Sequence, residues 1–151
     1  MEDWASTSDL HVSRIFCLLE SQAPNITSAP SSPVRVVEGE SVTLEWTYDL
    51  GGSAFRQAEF DTAGVSFVVD RFRQEPVAIN SAFVGRVTAN ITETNASITF
   101  LAVNRGDSKS YEFTVENEDR NSDAKTLDME VQCECTYTYK KYCYIPRLSL
   151  N

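Results

Sequence analysis

The side chains able to carry chemistry are few, and their order in the chain suits binding better than catalysis. His11 is the single histidine among 151 residues, and it stands in an N-terminal stretch with no sustained periodicity. A serine or cysteine nucleophile needs a base within hydrogen-bond reach to take its proton, and the remainder of the chain offers no imidazole. Gly51-Gly52 falls in a polar turn with no lysine or helix after it, so no phosphate cradle is expected. Aspartate and glutamate together number 22, but they are scattered, which is the pattern of a solvated face. The four thiols are Cys17, Cys133, Cys135 and Cys143. Cys133-x-Cys135 with Cys143 lacks a fourth ligand nearby and fits no common zinc spacing. Disulfides or a non-native tail account for them better, and if all four are oxidised three pairings stay open. The expectation is a protein that is not an enzyme and uses no cofactor or metal.

One chemical signature does recur. Asn25-Ile26-Thr27, Asn90-Ile91-Thr92 and Asn95-Ala96-Ser97 each match the acceptor triplet for N-linked sugar, which implies passage through a secretory route. Asn90 is on the outward phase of its alternating segment, and Asn95 falls in the following turn. Sugar there would shield one sheet edge and leave the other sheet open to partners. An extracellular or cell-surface location follows as an expectation. No stretch reaches the ~20 apolar residues that span a bilayer. Ile15-Phe16-Cys17-Leu18-Leu19 is shorter than the ~7–15-residue apolar segment of a signal peptide, so export signal and anchor are expected outside this chain. The formal charge of −9 argues against nucleic acid and against anionic membrane surfaces. The expected partner is therefore another protein.

Positioning these residues falls to strands. Val42, Leu44 and Trp46 alternate with Thr43, Glu45 and Thr47, the period of two that marks a half-buried strand. The same alternation recurs at Val34 and Val36, at Val87 to Ile91, at Ile98 and Phe100, at Tyr111 to Val115, and at Leu127 to Val131. Phe55 to Phe60 and Val65 to Phe72 add two more, giving about eight strands separated by polar turns. No window carries a 3.6-residue apolar stripe. The fold class is all-β, and the spacing suits a sandwich. Residues 1–32 read as an irregular segment ending in a Ser/Pro linker. Residues 33–132 read as the domain, and residues 133–151 as a Cys/Tyr-rich tail.

Two stretches narrow the fold. Glu38-Gly39-Glu40-Ser41-Val42-Thr43-Leu44-Glu45-Trp46 resembles the B-strand pattern E-G-x-S-V-T-L-x-C of immunoglobulin domains. Ile98 to Phe113, containing Val103, Asp107-Ser108 and Tyr111, resembles their E-to-F pattern L-x-I-x-x-V-x-x-x-D-S-G-x-Y-x-C. The resemblance covers about two-thirds of the chain. It implies a variable-type sandwich of two antiparallel sheets with Greek-key connections. The chain departs from the family where the inter-sheet cysteines belong, since those positions hold Trp46 and Phe113. With Leu44 and Tyr111 they are expected in the core, the aromatic pair replacing the bridge. The family's strand-C tryptophan is not evident either; Ala58 or Phe60 sits near its place. The resemblance further implies a tyrosine corner at Tyr111 and an ion pair between Arg86 and Asp107. A disulfide-free domain of this kind is similar to the V-like domains of some invertebrate cell-surface and allorecognition proteins.

Function is expected to be protein binding in adhesion or cell-surface recognition, homophilic or heterophilic. The alternatives are a spacer domain of a matrix or multi-domain protein, or the ligand-binding part of a receptor whose signalling part lies elsewhere. Val65, Phe67, Val69 and Phe72 are the candidate interface, because their strand carries apolar residues on both phases and a singly buried strand needs only one.

Overall fold

The computed structural model describes residues 22–133, and among them ten strands form two sheets. In chain order they are β1 (Asn25–Ser28), β2 (Val34–Val37), β3 (Val42–Asp49), β4 (Phe55–Thr62), β5 (Val65–Phe72), β6 (Ala78–Ile79), β7 (Val87–Ile91), β8 (Asn95–Phe100), β9 (Ser110–Asn117) and β10 (Ser122–Gln132). One sheet runs β1-β3-β8-β7 and the other β2-β10-β9-β4-β5-β6. The class is all-β, and the two sheets enclose a common apolar core. Alternation in the sequence becomes burial because successive side chains leave a strand on opposite faces. Along β3, Leu44, Trp46 and Tyr48 are buried while Thr43, Glu45 and Thr47 are exposed.

Two features depart from the sequence reading. Asn25–Ser28, placed in the irregular segment, is a strand paired with β3. Its single buried residue, Ile26, sits opposite Tyr48, and its backbone N–H donates to Asp123 at 2.8 Å. Four residues with one buried position are too few to display a period. In addition, β2 lies parallel to β10, whereas every other neighbouring pair is antiparallel. Pro30 and Pro33 cannot donate to a ladder, so the N-terminal segment pairs in two pieces, one on each sheet.

Aromatic rings hold the sheets together. Trp46 from β3 stacks on Phe113 from β9, with centroids 4.6 Å apart and planes inclined by 20°. The two side chains are 1% and 0% exposed. Phe60 stacks on Tyr111 at 5.1 Å, and Phe100 meets both edge-on at 6.4 and 5.7 Å. Offset and edge-on geometries suit the ring quadrupole and add about 0.5–1.5 kcal/mol per pair beyond area burial. Leu44, Ile98 and Val115 fill the space around the rings. One polar atom is stranded: Trp46 Nε1 is buried without a hydrogen-bond partner.

The β8–β9 connection is pinned at three points. Tyr111 Oη donates to the Asp107 carbonyl at 3.1 Å, and Arg86 Nη2 donates to both Asp107 carboxylate oxygens at 2.8 and 2.6 Å. The Asn104 backbone N–H donates to the same carboxylate while the Asn104 side chain accepts from Gly106, a capping box around the 3-10 turn Arg105–Asp107. At the opposite end, Gly51 adopts φ +71°, and a Cβ there would lie 2.1 Å from the Gln22 carbonyl oxygen. That glycine admits the chain entering β1.

Truncating Trp46 to alanine should cost ~3–5 kcal/mol in urea unfolding, the range for a buried aromatic replaced by a cavity. Trp46→Phe should cost roughly half of that or less, because it keeps a ring on Phe113 and deletes the orphaned donor. Equal losses for the two variants would mean that the stack contributes little. Gly51→Ala should lose more than Gly52→Ala: both positions have positive φ, worth about 1–3 kcal/mol for a residue with Cβ, but only Gly51 is also blocked by backbone.

Candidate recognition face

The sheets present two outer faces of different chemistry. On the four-stranded sheet the outward positions are mostly hydroxyls and amides, with Glu45 and Asp49 the acidic exceptions on β3. Thr43, Thr99 and Thr88 form one row across β3, β8 and β7, and Glu45, Ser97 and Asn90 form the next. Asn25, Asn90 and Asn95 are all exposed and all on this sheet. Asn25 faces Asp49, and Asn95 faces Thr47. Asn95, read from sequence as a turn residue, is the first residue of β8.

The six-stranded sheet presents charge. Register places Phe72, Gln57 and Glu116 in one row, Asp70, Glu59 and Thr114 in the next, and Asp61 and Glu112 in a third. The first row is internally neutralised. Arg56 bonds Glu116 at 2.6 Å, and Arg73 bonds Glu118 at 2.8 Å. Both guanidiniums lie over the Phe72 ring, at 5.6 and 5.2 Å from its centroid, within the range of cation–π attraction. The next two rows are not neutralised. Among the described residues no cation forms an ion pair with Glu59, Asp61, Asp70 or Glu112. Gln57 donates to Asp70 at 2.9 Å, and Thr126 donates to Glu112 at 3.3 Å. Burial raises the pKa of Glu59, and the charges of Asp70 and Asp61 raise it further. Burial, then Glu112, does the same to Asp61. The carboxylates do not converge on a point: among the described residues no three of His, Cys, Asp and Glu could hold a metal ion.

Of the four residues read from sequence as the candidate interface, Val69 is fully buried. It is 0% exposed because it pairs with the inward-facing Phe60, and the β4–β5 register shifts just beyond that pair, between Phe60 and Thr62. Thr62 faces Val65 and Phe60 faces Val69, so β5 carries two extra residues, and Val68 and Val69 are both fully buried. The bulge absorbs the double apolar load into the core. Val65, Phe67 and Phe72 are half-buried. Among the described residues only Val84, at 66%, and Leu101, at 44%, are exposed large hydrophobics.

The remaining sites read from sequence are structural in place. Arg86 and Asp107 meet as described, and Asp107 is buried. Arg105, two residues away, turns outward to Glu38 at 3.2 Å and donates to Cys133 Sγ. The triplet Arg105-Gly106-Asp107 therefore cannot offer both charges to an outside receptor. Cys133 is exposed and has no disulfide partner among the described residues, while Cys17, Cys135 and Cys143 lie outside them. The acidic rows were missed from sequence, although Glu59-x-Asp61 and Glu112-x-Thr114-x-Glu116 carry the outward phase of two strands. No protein-family model matches the chain, and neither does any curated protein sequence.

Glu59 and Asp61 hold protons more tightly in the folded chain than unfolded. Their contribution to stability is full below the ordinary carboxylate range and is lost as pH rises through their raised folded values. Glu59→Gln should therefore raise the melting temperature at pH 7. The gain should shrink at about pH 3.5, where the carboxyl is already protonated, and in about 1 M salt, which screens the repulsion. A lower melting temperature at pH 7 would show that Glu59 is paired with a cation.

Proposed function

We propose that the chain is an immunoglobulin-like, variable-type module with Greek-key connections. It acts without catalysis or cofactor, outside the cell, by binding another protein in adhesion or cell-surface recognition. The fold assignment is supported by the two sequence stretches around β3 and β8–β9 and by the split N-terminal strand. Strands β5 and β6 beyond β4, the Trp46–Phe113 stack at the bridging positions and the Arg86–Asp107–Tyr111 corner add to it. A fold hosts many activities, so the surface must carry the functional argument.

The observation that carries it is the division of labour between the two faces. All three sugar acceptors lie on the four-stranded sheet. The six-stranded sheet has none, and it holds Phe72 between two arginines beside carboxylates that destabilise one another. Aromatic and arginine side chains are the usual anchors of protein interfaces, with surrounding charge setting partner choice. Two such faces brought together would oppose carboxylate to carboxylate, so the partner is a different protein presenting cationic side chains. A contact of standard size buries about 800 Å² per partner, within reach of one sheet face. The scarcity of exposed large hydrophobics favours a second reading, a spacer domain with a solvated surface.

Labelled chain should bind cells that display the partner, and Glu59→Lys with Glu112→Lys should reduce binding at least tenfold with a melting temperature no lower than that of the wild type. Thr43→Lys on the opposite sheet should leave binding intact. Binding that survives the double reversal would exclude this face, and a chain that binds no cell surface and stays monomeric would establish the spacer.

A further inference from the structure

A sheet edge is a row of unpaired backbone donors and acceptors that templates pairing with another chain, and folded proteins blunt it with charge, proline, a bulge, brevity or a cover. Three of the four sheet edges among the described residues are blunted by their own sequence. On the six-stranded sheet, β6 has two residues, and β2 has four, follows Pro33 and carries Arg35. On the four-stranded sheet, β1 has four residues and a register break at Thr27. The fourth edge, β7, carries none of these devices in its own residues, although it is tied at its ends, where the Val87 N–H donates to the Phe83 carbonyl and Arg71 donates to the Ile91 carbonyl. Val87-Thr88-Ala89-Asn90-Ile91 has five residues, no charge and no proline, and it pairs with β8 in unbroken register. Three of its five residues, Val87, Thr88 and Ile91, are β-branched, the type enriched in strands. Its one amide side chain, Asn90, points outward and belongs to an acceptor triplet.

We propose that Asn90 carries an N-linked sugar whose role is to cover the β7 edge, keeping the four-stranded sheet from adding a strand of a second copy. The inference rests on the extracellular reading above. The modification joins Asn90 Nδ2 to C1 of the first sugar of a lipid-pyrophosphate-linked oligosaccharide. The C1–oxygen bond to the pyrophosphate breaks, the lipid pyrophosphate leaves with the electron pair, and the amide loses one proton. A side chain stands perpendicular to its sheet, so a lone asparagine leaves the edge open, whereas a branched, hydrated oligosaccharide overhangs it. Asn25 marks the other edge of the same sheet. Three inter-strand steps, roughly 14 Å at ~4.8 Å each, separate the two. Sugar on both would close the sheet to protein from either side while the six-stranded sheet stays open.

The test uses the whole chain, directed through a eukaryotic secretory route with a supplied leader. Peptide mass before and after peptide-N-glycosidase should find sugar on Asn90. In sedimentation at matched concentration the wild type should be monomeric, and Asn90→Gln should associate, with roughly a doubling or more of weight-average mass. Adding Thr88→Lys, a charge on the β7 edge, should restore the monomer; adding Thr43→Lys, on inner strand β3, should not. Secreted protein with bare Asn90, Asn90→Gln that stays monomeric, or equal rescue by both lysines would each overturn the proposal. None of these outcomes bears on the six-stranded face, which is tested separately by the lysine reversals at Glu59 and Glu112.

Discussion

Two sheets without a covalent bond between them must be kept in register by shape, and here the shape is set by the Trp46–Phe113 stack. The pair occupies the centre of the gap between β3 and β9. Facing sheets sit about 10 Å apart, and two overlapping rings fill that distance where a pair of small side chains would leave a void. Everything else in the core is placed relative to this contact. Phe60 tilts against Trp46 at 5.5 Å and passes the packing on to Tyr111 and Phe100. A disulfide of an ordinary domain contributes ~2–4 kcal/mol, and two buried aromatics supply a comparable amount through area and contact geometry. The indole brings one cost, an N–H buried without an acceptor, of about 1–3 kcal/mol.

The corner below the core works on a different principle. Asp107 is buried, so its charge is tolerated only because Arg86, the Asn104 N–H and the local turn satisfy it. Such a pair adds little net stability, since desolvation offsets attraction, yet losing one partner leaves a buried charge uncompensated at ~3–5 kcal/mol. The corner thus fixes geometry. It ties β7, through Arg86, to the turn that launches β9, and Tyr111 Oη donates to the backbone carbonyl of Asp107 from inside.

With the core and corner in place, the two faces are free to differ. Inward positions are spoken for, so outward ones can collect amides and hydroxyls on one sheet and carboxylates on the other without affecting packing. The carboxylates of β4, β5 and β9 repel one another, and the fold tolerates this because the destabilisation is small beside the core. Surface groups that oppose stability commonly serve binding instead. Acceptor triplets on one sheet and carboxylates without ion pairs on the other give the molecule two chemically different sides.

Much of this was legible in the chain before folding. Alternation of Leu44 and Trp46 with Thr43 and Glu45, and of Tyr111 and Phe113 with Glu112 and Thr114, determined the strands and their buried phases, because a strand has only two faces. The corner at Asp107 and Tyr111 was implied by the resemblance of that stretch to a known pattern, and Tyr111 Oη does donate to the Asp107 carbonyl. What required the tertiary structure was everything that depends on register between strands distant in sequence. The bulge opposite Phe60 buries Val68 and Val69 together, and no local pattern announces it. Ile26 finds its strand partner 22 residues ahead, at Tyr48. Glu59, Asp70 and Asp61 lie on two strands and Glu112 on a third, some fifty residues away, and they became one acidic surface only when β4 was laid between β5 and β9. Side-chain phase is a local property of the backbone, whereas which phases meet is decided by the packing of the whole.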